Sequence, residues 1–459
     1  MQDQKIVTYV VNLRNRVDRR AHILNEFNKR GEFAVEIVPA IEQKLGSVGL
    51  WMTIRYIVEN AAKTDAEYIL ICEDDHQFTG EYSRSLLLKC ISEAKLRDAD
   101  ILLGGVSSVH SLFKTSDSLL WIEGYTGNQF VIVFKQFFET ILTANFEIFD
   151  SADYKFSALS QRLFLIYPFI SIQREFGYSD VTALNGEIGR VDRLFANASR
   201  SIQYLIDGAN FYGFNQDRNG SRQQTFADVV LPTYIVNLFR HERSLSRIRA
   251  QFAAKKEFNV IYSRQKTPCP EADTAWFEIK ETILTGIRND DDFLILCDAR
   301  HVFSESYSPH ILIPNIVEAH QQGADILLGG TERIGGGFAH ALPIGNNLFW
   351  INHFNTMQFL IIYRKFFQRI LDAQYDSATG LGDFLSGLTS NKMLVYPYIS
   401  NMDSFPNSSS VSESLGEEKM VLWMFEDPSN RLHKIHHAYM RYGTGITHQS
   451  VREEKIRHR

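Results

Sequence analysis

The first half of the chain alternates short, continuously apolar runs with longer stretches whose apolar residues recur every three or four positions. Residues 6–13 form a β-rich run without polar alternation, the signature of a strand buried on both faces. Residues 18–30 follow as a helix with Ile23, Leu24 and Phe27 on one side. A second helix over 49–62 carries Trp51, Ile54, Ile57 and Val58. The next run, 68–72, is another buried strand, and it ends abruptly in Glu73-Asp74-Asp75. A helix over 83–96 and strands over 101–103 and 130–134 continue the pattern. Such alternation predicts an α/β fold with a mostly parallel sheet flanked by helices on both faces. Ligands of these sheets collect at the carboxyl ends of the strands, where the acidic triplet falls.

The pattern is written twice. Thr8-Tyr-Val-Val-Asn-Leu13 recurs 225 residues later as Thr233-Tyr-Ile-Val-Asn-Leu238, and Trp51/Trp276, Cys72/Cys297 and His76/His301 keep that spacing. Ala99-Asp-Ile-Leu-Leu-Gly-Gly105 returns unchanged as residues 324–330. Beyond it the spacing becomes 229, pairing Trp121 with Trp350, Phe137-Phe138 with Phe366-Phe367, and Tyr167 with Tyr396. A constant spacing broken by one short insertion indicates two copies of one domain. The expected organisation is residues 1–214, a polar linker over 215–230, and a second copy over 231–459.

Composition narrows the partners. The 459 residues carry 48 Lys and Arg against 54 Asp and Glu, a formal net charge of −6. A nucleic-acid-binding surface, which must neutralise phosphates, is therefore not expected. No window approaches the apolar length that crosses a bilayer, and no charged-then-apolar leader opens the chain. The four scattered cysteines, Cys72, Cys90, Cys269 and Cys297, fit reduced thiols rather than a disulfide framework or zinc cluster. A cytoplasmic location is the expectation. Residues 431–459 are basic and histidine-rich, which reads as a solvated or partner-binding segment. Peripheral contact with an anionic membrane or charged glycan is another reading of that tail. His433 and His437, one helical turn apart, are also spaced to share a metal, the alternative to a solvated or partner-binding helix. A homo-oligomer is compatible with the sequence.

Three consecutive carboxylates at the end of a buried strand need a compensating positive charge. A divalent cation is one answer: Mg²⁺ or Mn²⁺ takes hard oxygen ligands and completes its shell with water and substrate phosphates. A solvated turn capping the following helix is the other reading of the same residues.

Taken in order, a set of short motifs resembles glycosyltransferase family 25, whose members include lipopolysaccharide-decorating and collagen galactosyltransferases. The motifs are Val11-Asn12-Leu13 with Asp18-Arg19-Arg20, Gly46-Ser-Val-Gly49-Leu50-Trp51, Ile71-Cys-Glu73-Asp74-Asp75, Asp100-Ile-Leu-Leu-Gly104, and Gln173 through Ser179-Asp180-Val181. The resemblance covers residues 5–185 and, more faintly, 231–412. It implies tandem GT-A-type, Rossmann-like domains, a nucleotide-sugar donor of UDP type, and Mn²⁺ or Mg²⁺. It also implies inverting transfer of a hexose, galactose or glucose, to a saccharide or protein acceptor.

On this resemblance Asp75 is the direct metal ligand and Asp180 a second ligand or sugar contact. Glu73 and Asp74 face the ribose and donor sugar, Arg19 or Arg20 pairs with the pyrophosphate, and Asn12, Leu13 and Gly49 join the donor-binding set. Asp153 is the candidate base for the acceptor hydroxyl, with Asp150 and Asp180 as competitors and helix capping as its alternative role. Two features depart from the family: Thr53-Ile54 stands where Ser-His is usual, and no histidine lies between His110 and His241 to serve as a late ligand in the first copy.

The second copy keeps the core and loses the chemistry. Glu73-Asp74-Asp75 becomes Asp298-Ala299-Arg300, Gly46 and Gly49 become Glu271 and Thr274, and Ser179-Asp180-Val181 becomes Ser409-Ser410-Val411. Catalysis is therefore expected in the first copy, with the second a degenerate partner. Residues shared by both, Asn12/Asn237, Trp51/Trp276, His76/His301 and Gln129/Gln358, read as structural. The rival reading is a non-catalytic carbohydrate- or protein-binding scaffold with relict sites. A nucleotidyltransferase ranks below both, because the glycine-and-basic-rich first loop of such enzymes is missing.

Overall fold

The computed structural model describes residues 5–178, 187–214, 229–236, 242–262, 271–331, 340–376, 378–402 and 428–443. The chain divides into two units, Met1–Asn210 with His437–Arg459, and Phe211–His436. In the first unit the strands are β1 (Ile6–Asn12), β2 (Phe33–Pro39), β3 (Tyr68–Glu73), β4 (His76–Phe78), β5 (Ile101–Leu103), β6 (Ser108–Val109), β7 (Leu112–Lys114), β8 (Leu119–Ile122), β9 (Tyr125–Thr126), β10 (Phe130–Phe134), β11 (Leu163–Ile166) and β12 (Ser171–Gln173). Eight of them make one sheet in the order β2-β1-β3-β10-β5-β11-β8-β7. Only β8 and β10 run against the others, so the sheet is mostly parallel in strand direction.

The sequence pattern explains most of these elements. The central strands β5, β8, β10 and β11 are buried along their whole length, as continuous apolar runs require. Helix α1 (Val17–Phe27) buries Ile23 and Phe27, and α2 (Gly46–Ala61) buries Trp51, Ile54, Ile57 and Val58. Helix α3 (Arg84–Leu96) starts where Ser83 Oγ accepts from Leu86 N at 3.2 Å. Short helices α4 (Phe138–Thr143) and α5 (Ala152–Leu159) follow, then the long α6 (Arg190–Tyr212). Strand β2 and helix α6 are among the elements that the sequence pattern does not announce. Strand β2 lies at the sheet edge and is interrupted by Glu36, so it carries no clean apolar run. Helix α6 has only a narrow apolar stripe, from Phe195 through Ala198, Ile202 and Leu205.

The second unit repeats the architecture. Its sheet strands are β13 (Leu231–Val236), β14 (Phe258–Tyr262), β15 (Phe293–Asp298), β17 (Ile326–Leu328), β18 (Ala341–Pro343), β19 (Leu348–Ile351), β20 (Phe359–Tyr363) and β21 (Lys392–Val395), while β16 (His301–Phe303) pairs with β22 (Ser400–Met402). The order β14-β13-β15-β20-β17-β21-β19-β18 repeats that of the first sheet with the same pairing senses.

Both units use the same packing devices. A Cβ on Gly105 would come within 1.9 Å of Ser171 O, and one on Gly330 within 2.1 Å of Ser400 O, so the repeated glycines are fixed by backbone approach. His76 Nδ1 lies 2.8 Å from Ser171 Oγ and His301 Nδ1 2.7 Å from Ser400 Oγ, each ring fully enclosed among phenylalanines. Burial holds both imidazoles below the ordinary histidine range, His301 at about 3. These histidines are neutral packing groups, in line with their retention in both copies.

Among the described residues no helix is long and apolar enough to cross a membrane. Cys72, Cys90 and Cys297 are buried free thiols, and Cys269 lies outside the described residues. His433, in a helix over Pro428–Tyr442, lies with its Nδ1 2.8 Å from the Tyr396 hydroxyl.

Candidate functional site

Strands β1 and β3 are parallel neighbours with Val11 opposite Glu73, so Asn12 and the acidic triplet emerge together at the carboxyl edge of the sheet. Asn12 Nδ2 donates to Asp74 Oδ2 at 2.9 Å. Asp74 is 3% exposed, and its other oxygen accepts from Arg19 Nη1 at 3.1 Å, with Arg16 Nη1 at 3.6 Å. The same Arg19 Nη1 donates to Asp75 Oδ2 at 3.1 Å, and Nη2 donates to the Tyr178 carbonyl at 2.7 Å. Arg19 is 5% exposed and lies over the rings of Phe176 and Tyr178, 4.8 and 4.6 Å from their centroids. A guanidinium in the first helical turn is thus the positive charge that the buried triplet demanded.

The compensation is incomplete. Burial pushes the Glu73 carboxyl well above the usual range, with Asp75, Asp74 and Asp153 reinforcing and Arg19 opposing. Burial likewise lifts Asp75 to about 6, Arg19 opposing and Asp74 reinforcing. Among the described residues two buried polar atoms here have no hydrogen-bond partner: Asp75 Oδ1, an acceptor, and Arg19 Nε, a donor. Among the described residues four carboxyl groups, those of Glu73, Asp74, Asp75 and Asp153, face two guanidinium groups, those of Arg16 and Arg19.

Asp153 reaches this cluster electrostatically from the first turn of α5. Its Oδ2 accepts from Gly127 N at 3.1 Å, and its Oδ1 from Tyr154 N at 2.9 Å and Ser151 Oγ at 2.5 Å. Those bonds tie the carboxylate to the loop between β9 and β10, where Gly127 takes φ +106° and Tyr125 is fully buried. Both Asp153 and Glu73 raise the Tyr125 phenol further above its range after burial has done most of the work.

The remaining sequence candidates sit elsewhere or play other parts. Arg20 is exposed, in contrast to Arg19, and Leu13 is half-buried. Gly49 packs helix α2 against the preceding segment, since a Cβ there would lie 2.3 Å from Ile41 O. Asp150 pairs with Lys155 at 2.8 Å. Asp180 lies outside the described residues. Sequence reasoning missed Arg16, Phe176 and Tyr178. The only signal for Arg16 was its position three residues before Arg19 on one helical face.

The matching edge of the second unit is built differently. Asp298 is 2% exposed and takes Arg300 Nε at 3.0 Å and Arg300 N at 2.9 Å on one oxygen. A spacing of 229 sets Gly382 opposite Asp153, and a Cβ on Gly382 would come within 2.1 Å of Asn355 O. The register is secured by Ser157 and Ser386, whose hydroxyls accept from Tyr125 N at 3.4 Å and Phe354 N at 3.1 Å. The candidate base is therefore replaced along with the triplet, a coincidence the sequence motifs did not reveal.

Among the described residues no three His, Cys, Asp or Glu side chains group to hold a metal ion. A cation of the Mg²⁺ type needs only one or two protein carboxylates, because water and substrate phosphates complete its shell. The open Asp75 Oδ1, with Glu73 adjacent in a region of excess carboxylate, fits that donor set.

No family model matches the chain, and no curated protein matches it. Among solved structures it is similar to A197 from STIV (14% identity, 39% of this chain and 87% of that chain, TM-score 0.28). Another match is apo UDP-glucose pyrophosphorylase (11% identity, 43% and 81%, TM-score 0.26). A third is a glycosyltransferase involved in glycosylation of the major capsid of PBCV-1 (12% identity, 30% and 63%, TM-score 0.20).

Proposed function

We propose that the first unit is the catalytic part of a nucleotide-sugar-dependent glycosyltransferase of the family-25 type, and that the second unit is its non-catalytic companion. One observation carries the reading: an acidic cluster at the carboxyl edge of β1 and β3 has an open Asp75 oxygen and more carboxylate than guanidinium. That chemistry suits a donor whose diphosphate arrives with a divalent cation. Asp75, with Glu73 beside it, would hold Mn²⁺ or Mg²⁺, and the bound ion offsets the charge that develops on a departing diphosphate.

Asp74 is a positioning residue, held by Asn12 and in turn holding Arg19. Asp153 accepts the proton of the acceptor hydroxyl as its oxygen attacks the anomeric carbon of the donor sugar. The new C–O bond forms opposite the diphosphate, whose own C–O bond breaks with the electron pair, and the configuration inverts. The donor in this reading is a UDP-linked hexose and the acceptor a saccharide or protein. Buried free thiols support a reducing, cytoplasmic setting.

One observation favours the scaffold reading: Arg19 already spans Asp74 and Asp75. Incubation with UDP-, GDP- and CMP-linked sugars and Mn²⁺ separates the possibilities. Release of the nucleotide with sugar hydrolysis or transfer supports the proposal. Pyrophosphate release from a nucleoside triphosphate with a sugar phosphate indicates a nucleotidyltransferase, and no turnover with any donor leaves the scaffold.

A further inference from the structure

We propose that Arg19 is an exchange residue, releasing Asp75 to a divalent cation as its guanidinium moves to the diphosphate of the donor. This rests on the nucleotide-sugar reading and adds to it a coupling between the two ligands. Among the described residues, the ion pair of Arg19 with Asp75 leaves one donor and one acceptor unsatisfied, Nε of the guanidinium and Oδ1 of the carboxylate, both buried. One rearrangement satisfies both. A cation takes the Asp75 carboxylate, and the planar fork of Arg19 turns to two phosphate oxygens, the geometry it recognises best.

The surroundings permit the exchange. The rings of Phe176 and Tyr178 lie 4.8 and 4.6 Å from the Arg19 guanidinium carbon and 6.5 Å from each other, so they hold the charge through their π systems and do not themselves fix which acceptors its N–H groups take. Asp74 stays anchored by Asn12 and so keeps Arg19 from leaving the crevice. Cation alone must compete with Arg19 for Asp75, and diphosphate alone must compete with Asp75 for Arg19. Together each removes the other's competitor, so the two ligands bind cooperatively and by reciprocal factors.

The second copy supplies an internal contrast. At a spacing of 225 the counterpart of Arg19 is Ser244 and that of Asp75 is Arg300. Arg300 closes on Asp298 within its own strand end, so both members of the exchange have gone together.

The test is calorimetric titration of the full chain with Mn²⁺ alone, with UDP, GDP and ADP alone, and with each nucleotide at saturating Mn²⁺. The wild type is expected to bind its nucleotide at least about tenfold more tightly with Mn²⁺ present. Arg19→Met is expected to bind Mn²⁺ alone more tightly than the wild type while its coupling to nucleotide falls towards unity. Arg19→Lys, which keeps the buried charge without the fork, is expected to lose coupling and to retain the fold by circular dichroism. Coupling unchanged in both variants, or weaker Mn²⁺ binding in Arg19→Met, overturns the exchange while leaving the nucleotide site standing. Wild-type protein that binds neither Mn²⁺ nor any nucleotide overturns the nucleotide-sugar reading itself, and the exchange with it.

Discussion

Asn12 Nδ2 donates to Asp74 Oδ2 across 2.9 Å, joining the carboxyl ends of β1 and β3 through a buried hydrogen bond. Because the other Asp74 oxygen receives Arg19, this bond sets the position of the guanidinium as well. Asn12→Ala is expected to cost about 1–2 kcal/mol, the loss of one buried hydrogen bond. Asp74→Ala is expected to cost more, about 3–5 kcal/mol, because it strips a buried guanidinium of a charged partner. Urea denaturation of the two variants checks the order, and an equal or reversed order contradicts the anchoring role of Asp74.

Asp75 titrates in the other direction from an ordinary ion-paired carboxylate. Burial lifts it to about 6 despite Arg19, so between about pH 4 and 6 the folded chain binds more protons than the unfolded one. Stability from this group is present at low pH and is lost as pH rises through 6. Asp75→Asn should therefore stabilise the protein at pH 7.5 by roughly 1–3 kcal/mol, with the gain fading towards pH 4. Melting temperatures measured across that range test it; a variant less stable than wild type at pH 7.5 refutes the sign.

Asp153→Asn keeps one acceptor oxygen, for Gly127 N, but turns an amide NH₂ towards the Tyr154 N–H, and it removes the proposed base. Transfer to acceptor is expected to fall by about 10²–10⁴-fold, with a stability loss of only about 1–3 kcal/mol from the one hydrogen bond the amide cannot accept. Loss of folding stability without that loss of transfer would assign Asp153 to helix capping alone.

Gly105→Ala and Gly330→Ala each drive a methyl group into a carbonyl, at 1.9 Å from Ser171 O and 2.1 Å from Ser400 O. Both are expected to lose at least about 2 kcal/mol of stability. Calorimetric melting that finds either substitution neutral contradicts the close-packing account of the repeated Gly-Gly pair.

Much of this was legible in the sequence because it depends on local pattern. Strands β1, β3, β5 and β10 declare themselves as unbroken apolar runs, and the triplet is visible as carboxylates directly after one of them. Strand direction was less accessible: β8 and β10 turn against the sheet through loops whose course depends on tertiary contacts. In the site, the demand for a positive charge could be read from Glu73-Asp74-Asp75, but not its source. Arg19 looks like any arginine in a first helical turn until the chain brings it 55 residues across to Asp74. Phe176 and Tyr178 act through ring faces and a backbone carbonyl, features that no residue pattern encodes. The replacement of Asp153 by Gly382 emerges only once Ser157 and Ser386 fix the register of two short helices.

In the proposed function, chemistry belongs to the first unit and depends on Asp75. Nucleotide release from the sugar-nucleotide donors, measured with Mn²⁺ for Asp75→Ala and Asp298→Ala side by side, tests it most directly. Loss of at least about a hundredfold is expected in Asp75→Ala, and activity within about twofold of wild type in Asp298→Ala. Turnover that survives Asp75→Ala, or falls equally in both variants, contradicts it.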